Sequence, residues 1–497
     1  MNDAPPAQRQ TVDTAAMAPP DATEPARPAP EGPHVVIVGA GFAGLYAAKG
    51  LGRAGIATTI IDRQNYHLFQ PLLYQVATAA LSPADIAEPI RRVLRPYDSI
   101  DVVLGEVVDV DTAHKQVRMA DGSAIGYDRL ILATGSTHSY FGHDEWARYA
   151  PGLKTIDDAR LIRSRLLMAF EKAEREQDPV EQRRLLTVAV IGGGPTGVEM
   201  AGSIAELSHY TLARDFRHIQ PDRAQVLLIE AGPRILAPFP EDLADYARRR
   251  LEKLGVSVRV SQAVESVQEK GIVIGGTFVP VGLTVWGAGV AASPAGRWLG
   301  VETDRAGRVA VDETLAIGSL DGVFVLGDLA LAKDETDKPL PGLAQVAKQQ
   351  GEHLGRELSR NLRDGTAMAP FRFRNRGNTA IVGRHAAIFD FGRRRLKGGA
   401  GLVPVGGDSR LSAGRVSEPP HRNGAMAVAL HHLSTRRPAH HRRHRDRHRS
   451  GKFQGTITVS RRYLPVSNAG LSIWPVMTRG GKAAEICPGS TYLRRFK

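Results

Sequence analysis

Six glycines at matched spacing carry the chemistry this chain could do: Gly39, Gly41 and Gly44 in HVVIVGAGFAGLYAAKGL, and Gly192, Gly194 and Gly197 in LTVAVIGGGPTGVEMAGSIAEL. Each set follows an apolar, β-branched run (Val35 to Val38, Val188 to Ile191) of the kind that forms a buried parallel strand. The first glycine permits a tight turn. The second lets backbone N–H groups approach a diphosphate, and the third lets the next helix pack against the strand. The diphosphate then rests at a helix N-terminus, where unpaired N–H groups and the dipole favour negative charge. Each set also has a carboxylate placed to accept hydrogen bonds from a ribose. TTIID supplies Asp62, 18 residues past Gly44, and VLLIE supplies Glu230, 33 past Gly197. The second spacing requires a long helix or an insertion. A carboxylate at 230 suits a free 2′-hydroxyl and repels a 2′-phosphate, which favours NADH over NADPH; Arg234 stands near enough to soften that preference. One glycine motif alone is weak evidence. Two, each with strand, turn, helix and acid, predict two nucleotides held close together, the layout of a flavoprotein that takes hydride from a nicotinamide.

Two α/β units must position these residues. The expected architecture is a pair of Rossmann-like dinucleotide-binding domains, the first interrupted by the second. The boundaries are a leader at 1–32, a first nucleotide domain at 33–150 that resumes at 293–397, a second at 151–292, and a tail at 398–497. After Asp62, Ser82 reads as an N-cap for a helix opening at Pro83. Three strand signals follow, DVVLGEVVDVD, KQVRMADG and SAIGYDRLILATG. The last ends in Ala133, Thr134 and Gly135, and VGLTVWGAGV mirrors it in the second unit. DGVFVLGDLA then returns to the first domain, with Gly327 closing a strand and Asp328 placed to bond a flavin ribityl chain or phosphate; an ordinary turn aspartate is the plain alternative. PGLAQVAKQQGEHLGREL follows as a helix with Gly342 near its start, its N–H groups facing the ring. Phe42 and Ala43 within the first turn, and Arg63 after its acid, are counted with the first site. Pro195 and Thr196 within the second turn, and Gly287 in WGAGV, are counted with the second. Glu199 sits one turn into the second nucleotide helix, either as an acid favoured by the dipole or as a site residue. Gln345 and Gln349 share one helix face, as solvated glutamines or as polar contacts for a quinone headgroup. Lys348 between them reads as a solvated lysine.

The chain of 497 residues is long enough for two or three full cores. Its one cysteine, Cys487, excludes a disulfide framework, a cysteine-ligated metal and a Cys-x-x-Cys redox pair. Electrons must then leave the flavin without a thiol relay, and no metal site is expected. The leader is rich in Pro, Ala and Thr and reads as disordered; it lacks a secretory signal, and no apolar run is long enough to span a membrane. The net charge of +13 is unevenly spread. Residues 393–497 hold 22 Lys+Arg against 4 Asp+Glu, so the remainder is mildly acidic.

Taken together, NYHLFQPLLYQVATAALSPADIAEPIRRVLR, VIGGGPTGVEMAG, WGAGV, VFVLGDLA, AQVAKQQG and FRFRNRGNTAIVGRHAAIFDFG resemble the type II, non-proton-pumping NADH:quinone oxidoreductases over about residues 33–397. The resemblance implies FAD in the first site, NADH in the second and a membrane quinone as acceptor, with hydride delivered to flavin N5 and the quinone approaching the other edge of the ring. Position by position, Gly39, Gly41, Gly44, Asp62, Ala133, Thr134, Gly135, Gly327 and Asp328 match FAD contacts. Gly192, Gly194, Gly197 and Glu230 match the NADH fingerprint. Ala344, Gln345, Ala347 and Gln349 match the AQxAxQ element at the quinone side, with Ala344 and Gln345 also counted as flavin contacts. Glu199 matches an acid beside the nicotinamide, and with the glutamines it would orient reactants and relay protons. A homodimer and a peripheral place on the inner, cytoplasmic face of the plasma membrane are also implied. The alternatives are a soluble FAD-dependent NAD(P)H oxidoreductase with another acceptor, such as oxygen or a ferredoxin-type protein, and a non-enzymatic flavin-binding sensor.

The tail departs from that family, whose members end in an aromatic, amphipathic segment that docks on the bilayer. From about 398 it is rich in Gly, Arg and His, without helical period, and residues 393–497 hold seven of the 16 His. A metal-binding His tract and a basic nucleic-acid arm are two readings of this composition. Translation out of frame explains more. Regrouping codons by one base lets 402–436 read as an aromatic, apolar tail, and Met426 with Ala427 (ATG then G) must then give Trp. As written, the membrane dock is expected to be missing, the tail disordered, and no nucleic-acid partner is expected.

Overall fold

The computed structural model describes residues 32–383, 386–392 and 394–398. The readings made above for the leader before residue 32 and for the tail after 398 lie outside the described residues. The chain opens with Val35–Val38 (β1), Phe42–Arg53 (α1) and Thr58–Asp62 (β2). Short Leu73–Ala77 (α2) precedes Ile100–Leu104 (β3), Arg129–Leu132 (β4) and Ser136–His138 (β5). Ile156–Arg175 (α3) leads to Thr187–Ile191 (β6), Pro195–Glu206 (α4), Gln225–Ile229 (β7), Val256–Arg259 (β8), Leu283–Trp286 (β9) and Val290–Ala292 (β10). The chain then returns through Val323–Val325 (β11) to Ala344–Asp364 (α5) and the hairpin strands Asn378–Ile381 (β12), Ala387–Phe391 (β13) and Arg394–Gly398 (β14).

Both nucleotide units are built on one plan. The first sheet runs β11-β4-β1-β2-β3 and the second β9-β6-β7-β8, all parallel. So β1, β2, β3 and β4 correspond to β6, β7, β8 and β9. Each central strand is buried on both faces, which is why its sequence is apolar without alternation. Val35 and Ile37 enter one core and Val36 and Val38 another; Val188 and Val190 enter a third, and Ala189 and Ile191 a fourth. The strand order reverses between β1 and β4, and again between β6 and β9. A nucleotide binds in such a crevice, at the C-terminal ends of the strands.

Two local expectations need correction. Ser82 does cap, in a capping box with Asp85, but it opens a single 3₁₀ turn at Pro83–Asp85 rather than a helix. An extended Ala87–Pro89 follows at once, as expected where a proline disfavours helical conformation for the residue before it. DVVLGEVVDVD and SAIGYDRLILATG each break in two, because Val107–Asp111, Gln116–Met119 and Ala124–Gly126 leave the parallel sheet to form an antiparallel ribbon. The long step from Gly197 to Glu230 is an insertion: α4 runs on into a π-helical turn at Leu207–Thr211 and then a 3₁₀ turn at Pro221–Arg223 before β7 begins.

The returning helix α5 closes the first unit against α1. A Cβ added at Gly50 would meet the Gly355 Cα at 2.8 Å, so the two backbones touch where neither residue carries a side chain. The second unit enters and leaves through paired strands, since β5 lies antiparallel to β10 with Ser136 opposite Ala292.

Candidate functional site

The two glycine turns are copies in backbone and in side-chain contacts. Gly39 has φ +100° and Gly192 +107°, a region costly for other residues. A Cβ at Gly39 would lie 2.5 Å from the Ala133 oxygen, and one at Gly192 2.5 Å from the Gly287 oxygen. Ala133 and Gly287 therefore hold equivalent places after β4 and β9. A Cβ at Gly44 or Gly197 would overlap the carbonyl oxygen of Gly39 or Gly192, whereas at Gly41 and Gly194 it would meet nothing within 4 Å. The turn is closed on its protein side and open where a diphosphate approaches. Phe42 and Ala43, like Pro195 and Thr196, are the first residues of helices whose opening N–H groups have no helical acceptor.

The two acids are clamped alike. Asp62 accepts from the Ala40 amide at 2.6 Å and the Gln64 amide at 2.7 Å. Glu230 accepts from the Gly193 amide at 2.6 Å and the Gly232 amide at 2.7 Å. Burial pushes the Asp62 carboxyl up, against the pull of its two amides. A carboxylate has about four acceptor positions, so each acid, pinned to its turn, keeps capacity for ribose hydroxyls. Arg234 does not oppose Glu230, because its guanidinium donates to the carbonyls of Phe239 at 2.8 Å and Ala237 at 2.7 Å. Arg63 follows directly on Asp62, as its place in the chain requires. His67, which the sequence reading left unassigned, braces the first turn from outside. Its Nδ1 lies 2.9 Å from the Ala40 oxygen, and its ring stands edge-on to Phe42.

Sheet order sets the direction of a nucleotide in the first crevice. With its diphosphate over β1 and its adenosine ribose on Asp62 at the end of β2, its other half extends toward β4 and β11. There Thr134 Oγ1 lies 2.5 Å from Ser293 Oγ, and Ser136 Oγ donates to Asp328 Oδ2 at 2.6 Å. Gly135 and Gly327 both turn with positive φ, +69° and +70°. The Gly327 amide donates to Gln350 Oε1 at 2.7 Å. Gln350 is another residue the sequence reading missed. Its signal was a polar residue on the buried stripe of α5, among Val346, Ala347 and Leu354. Gly342 borders Asp328, and Ala344 opens α5 beside it.

Gln345 and Gln349, half-buried, are both hydrogen-bonded to backbone. Gln345 donates to the Gly377 oxygen at 3.1 Å and accepts from the Arg376 amide at 3.1 Å. Gln349 donates to the Arg374 oxygen at 2.9 Å and accepts from its amide at 3.0 Å. Together they fasten the FRFRNRGN segment to α5. Lys348, read as a solvated lysine, packs its ammonium over the Tyr46 ring, 4.7 Å from the centroid. Glu199 Oε1 accepts from the Ile381 amide at 3.2 Å, which turns this acid toward β12. Enclosure by protein pushes its carboxyl up to about 8. The neighbouring Tyr74 of α2 is pushed well above its ordinary value, first by burial and then by the Glu199 charge.

A twofold dinucleotide site of this kind, with one domain set inside another, defines a class, and the family model for pyridine nucleotide-disulphide oxidoreductases matches residues 33–351. The type II NADH:quinone oxidoreductase NdhA of Mycobacterium tuberculosis is 43% identical over 381 residues, covering 73% of this chain and 80% of that protein. An internal alternative NAD(P)H-ubiquinone oxidoreductase A1 of Arabidopsis thaliana mitochondria is 32% identical, covering 76% and 78%. The structure of NDH2 from Plasmodium falciparum in complex with NADH has the same fold, with a TM-score of 0.73 at 20% identity, covering 82% of this chain and 99% of that one. The chain belongs to the type II NADH:quinone oxidoreductases.

Proposed function

We propose that this chain oxidises NADH and passes the two electrons, through FAD, to a quinone without pumping protons. The observation that carries the reading is the doubled acid-clamped turn, Asp62 on one copy and Glu230 on the other. FAD supplies the redox chemistry, accepting hydride from the nicotinamide and returning two electrons to the acceptor. The residues present fit both nucleotides. Residues 33–150 and 293–397 form the FAD domain, with Gly39, Gly41, Gly44 and the α1 N-terminus on the diphosphate, Asp62 on the adenosine ribose and Asp328 on the flavin half. Residues 151–292 form the NADH domain, with Gly192, Gly194, Gly197 and Glu230 in the same duties. With a family-type anchor intact, the enzyme would work peripherally on the cytoplasmic face of a membrane; among the described residues no helix is long and apolar enough to cross one. The purified chain should be yellow, bleach with NADH under argon and recover colour on adding a short-chain quinone. Recovery with oxygen or a ferredoxin-type protein but not with a quinone would favour the alternative acceptor.

Gln345 and Gln349 position the 374–377 segment at the acceptor side. Gln345→Ala or Gln349→Ala is expected to slow quinone-driven flavin reoxidation by about tenfold, or 1.4 kcal/mol. NADH-driven reduction in stopped flow should stay within about twofold of wild type. Equal slowing of both half-reactions would make these amides general scaffolding.

Burial of Glu199, with Oε1 accepting from the Ile381 amide, favours the protonated acid at neutral pH. Its pKa is raised on folding from the ordinary 4.5 to about 8. The folded state therefore binds more protons than the unfolded one between these values. The stability this gives is full below about pH 4.5 and is lost as pH rises through about 8. Glu199→Gln lacks this dependence. Melting temperatures taken from pH 5 to 8.5 should fall more steeply for wild type than for the variant. Parallel curves would show that Glu199 does not titrate in that window.

A further inference from the structure

Lys154 has no duty in the account above, yet it stands in the flavin half of the first site. Its ammonium donates to Ser136 Oγ at 2.8 Å and lies 4.0 Å from Asp328 Oδ2. The direction of that bond is settled, because Ser136 spends its one proton on Asp328, at 2.6 Å. An ammonium has three N–H groups, and among the described residues Ser136 takes one of them. The side chain is 21% exposed, unlike that of an ordinary surface lysine. Burial draws its pKa down and Asp328 draws it back up.

The backbone around it is held. The Lys154 amide donates at 2.9 Å to Asp158, the capping acid of α3, and Gln70 Nε2 reaches the Lys154 carbonyl at 3.4 Å. Ser136 follows the Thr134–Gly135 turn after β4, and Asp328 follows β11. Both lie on the side of β1 away from Asp62, beyond the diphosphate position. The charge therefore belongs to the flavin half of the nucleotide.

We propose that Lys154, seated on Ser136 and Asp328, is the positive charge that makes this site hold the reduced, negatively charged flavin ring more tightly than the oxidised one. The proposal rests on FAD occupying the first site. Two effects act in the same direction. The ammonium attracts the charge the ring gains on reduction. It also offsets Asp328, which would otherwise stand as an unpaired carboxylate near that charge.

The test is the midpoint potential of the bound flavin at pH 7, measured by dye equilibration on purified holoenzyme, alongside the FAD-to-protein ratio. Lys154→Met should lower the potential by about 30 mV, the equivalent of a tenfold loss of preference for the reduced ring in a two-electron couple. Lys154→Gln, which can still donate to Ser136 but carries no charge, should lower it similarly. Lys154→Arg should stay near wild type. If Met at 154 costs the flavin, the Gln variant decides. A wild-type potential in Lys154→Gln with FAD in place would overturn the proposal, reduce Lys154 to a structural donor and leave the site assignment standing. Wild-type protein isolated without FAD, and unable to take it up, would overturn the site assignment itself.

Discussion

Gly197→Ala is expected to give a yellow protein that NADH cannot bleach. The added methyl would overlap the Gly192 carbonyl oxygen, so the turn must open or α4 must move away from β6. On the proposed assignment, either change takes backbone amides off the NADH diphosphate. The proposed FAD site on β1 and α1 keeps its own turn. Flavin content and the visible spectrum should match wild type, and dithionite should reduce the flavin normally. NADH-driven reduction in stopped flow should fall by about 100-fold or more, close to 3 kcal/mol of lost binding and positioning. The matched variant Gly44→Ala makes the same overlap with Gly39 and should fail earlier, giving protein without FAD. If Gly197→Ala loses FAD while keeping its fold, or is bleached by NADH at the wild-type rate, the two turns have been assigned to the wrong nucleotides.

The second large effect is on donor choice. Wild type should prefer NADH to NADPH by about 100-fold in kcat/KM. A unit charge pair about 4 Å apart at the effective dielectric of a protein surface amounts to about 4 kcal/mol before salt screening. A 2′-phosphate beside Glu230 faces a repulsion of that order, and Arg234, committed to backbone carbonyls, does not relieve it. Glu230→Gln should narrow the preference by about tenfold or more. It should also raise the KM for NADH: an amide can accept through one oxygen, which leaves either the Gly193 or the Gly232 amide facing an N–H group. Parallel initial-rate measurements with both donors check this. Equal kcat/KM for the two donors in wild type would remove Glu230 from the role.

Features that depend on a few neighbouring residues were legible in the sequence. The glycine turns, the buried strands and the two acids all appear where expected, because a positive φ or a close backbone approach dictates residue type locally. Side-chain direction was not legible. Gln345 and Gln349 could be placed on one helix face, but their turn toward the 374–378 backbone depends on a segment some 30 residues further on. The Ser136–Asp328 bond spans 192 residues and the Glu199–Ile381 bond 182, beyond the reach of any periodicity. Lys154 and Gln350 escaped for the same reason. The misread helix at Pro83 failed differently. Its cap was correct, but Pro89 and the pairing of Ala87–Pro89 with Tyr66–Leu68 overrode continuation.

The pairing of α1 with α5, and of β4 with β11, also sets a timetable for synthesis. The partner strand and helix that complete the first sheet lie on the far side of the inserted unit, with about 190 residues between Leu132 and Val323. At roughly 5–20 residues per second, the ribosome takes about 10–40 s to deliver them. During that interval the β4 edge and the glycine-lined face of α1 stand without partners, while residues 151–292 are made, leaving only Ala380, Ile381, Val382, Ala387 and Ile388 of their core still to come. The unit written second in the chain is thus expected to fold first. The nascent first unit waits beside it with an open sheet edge, the stage at which a chaperone, or early flavin binding, has most to contribute.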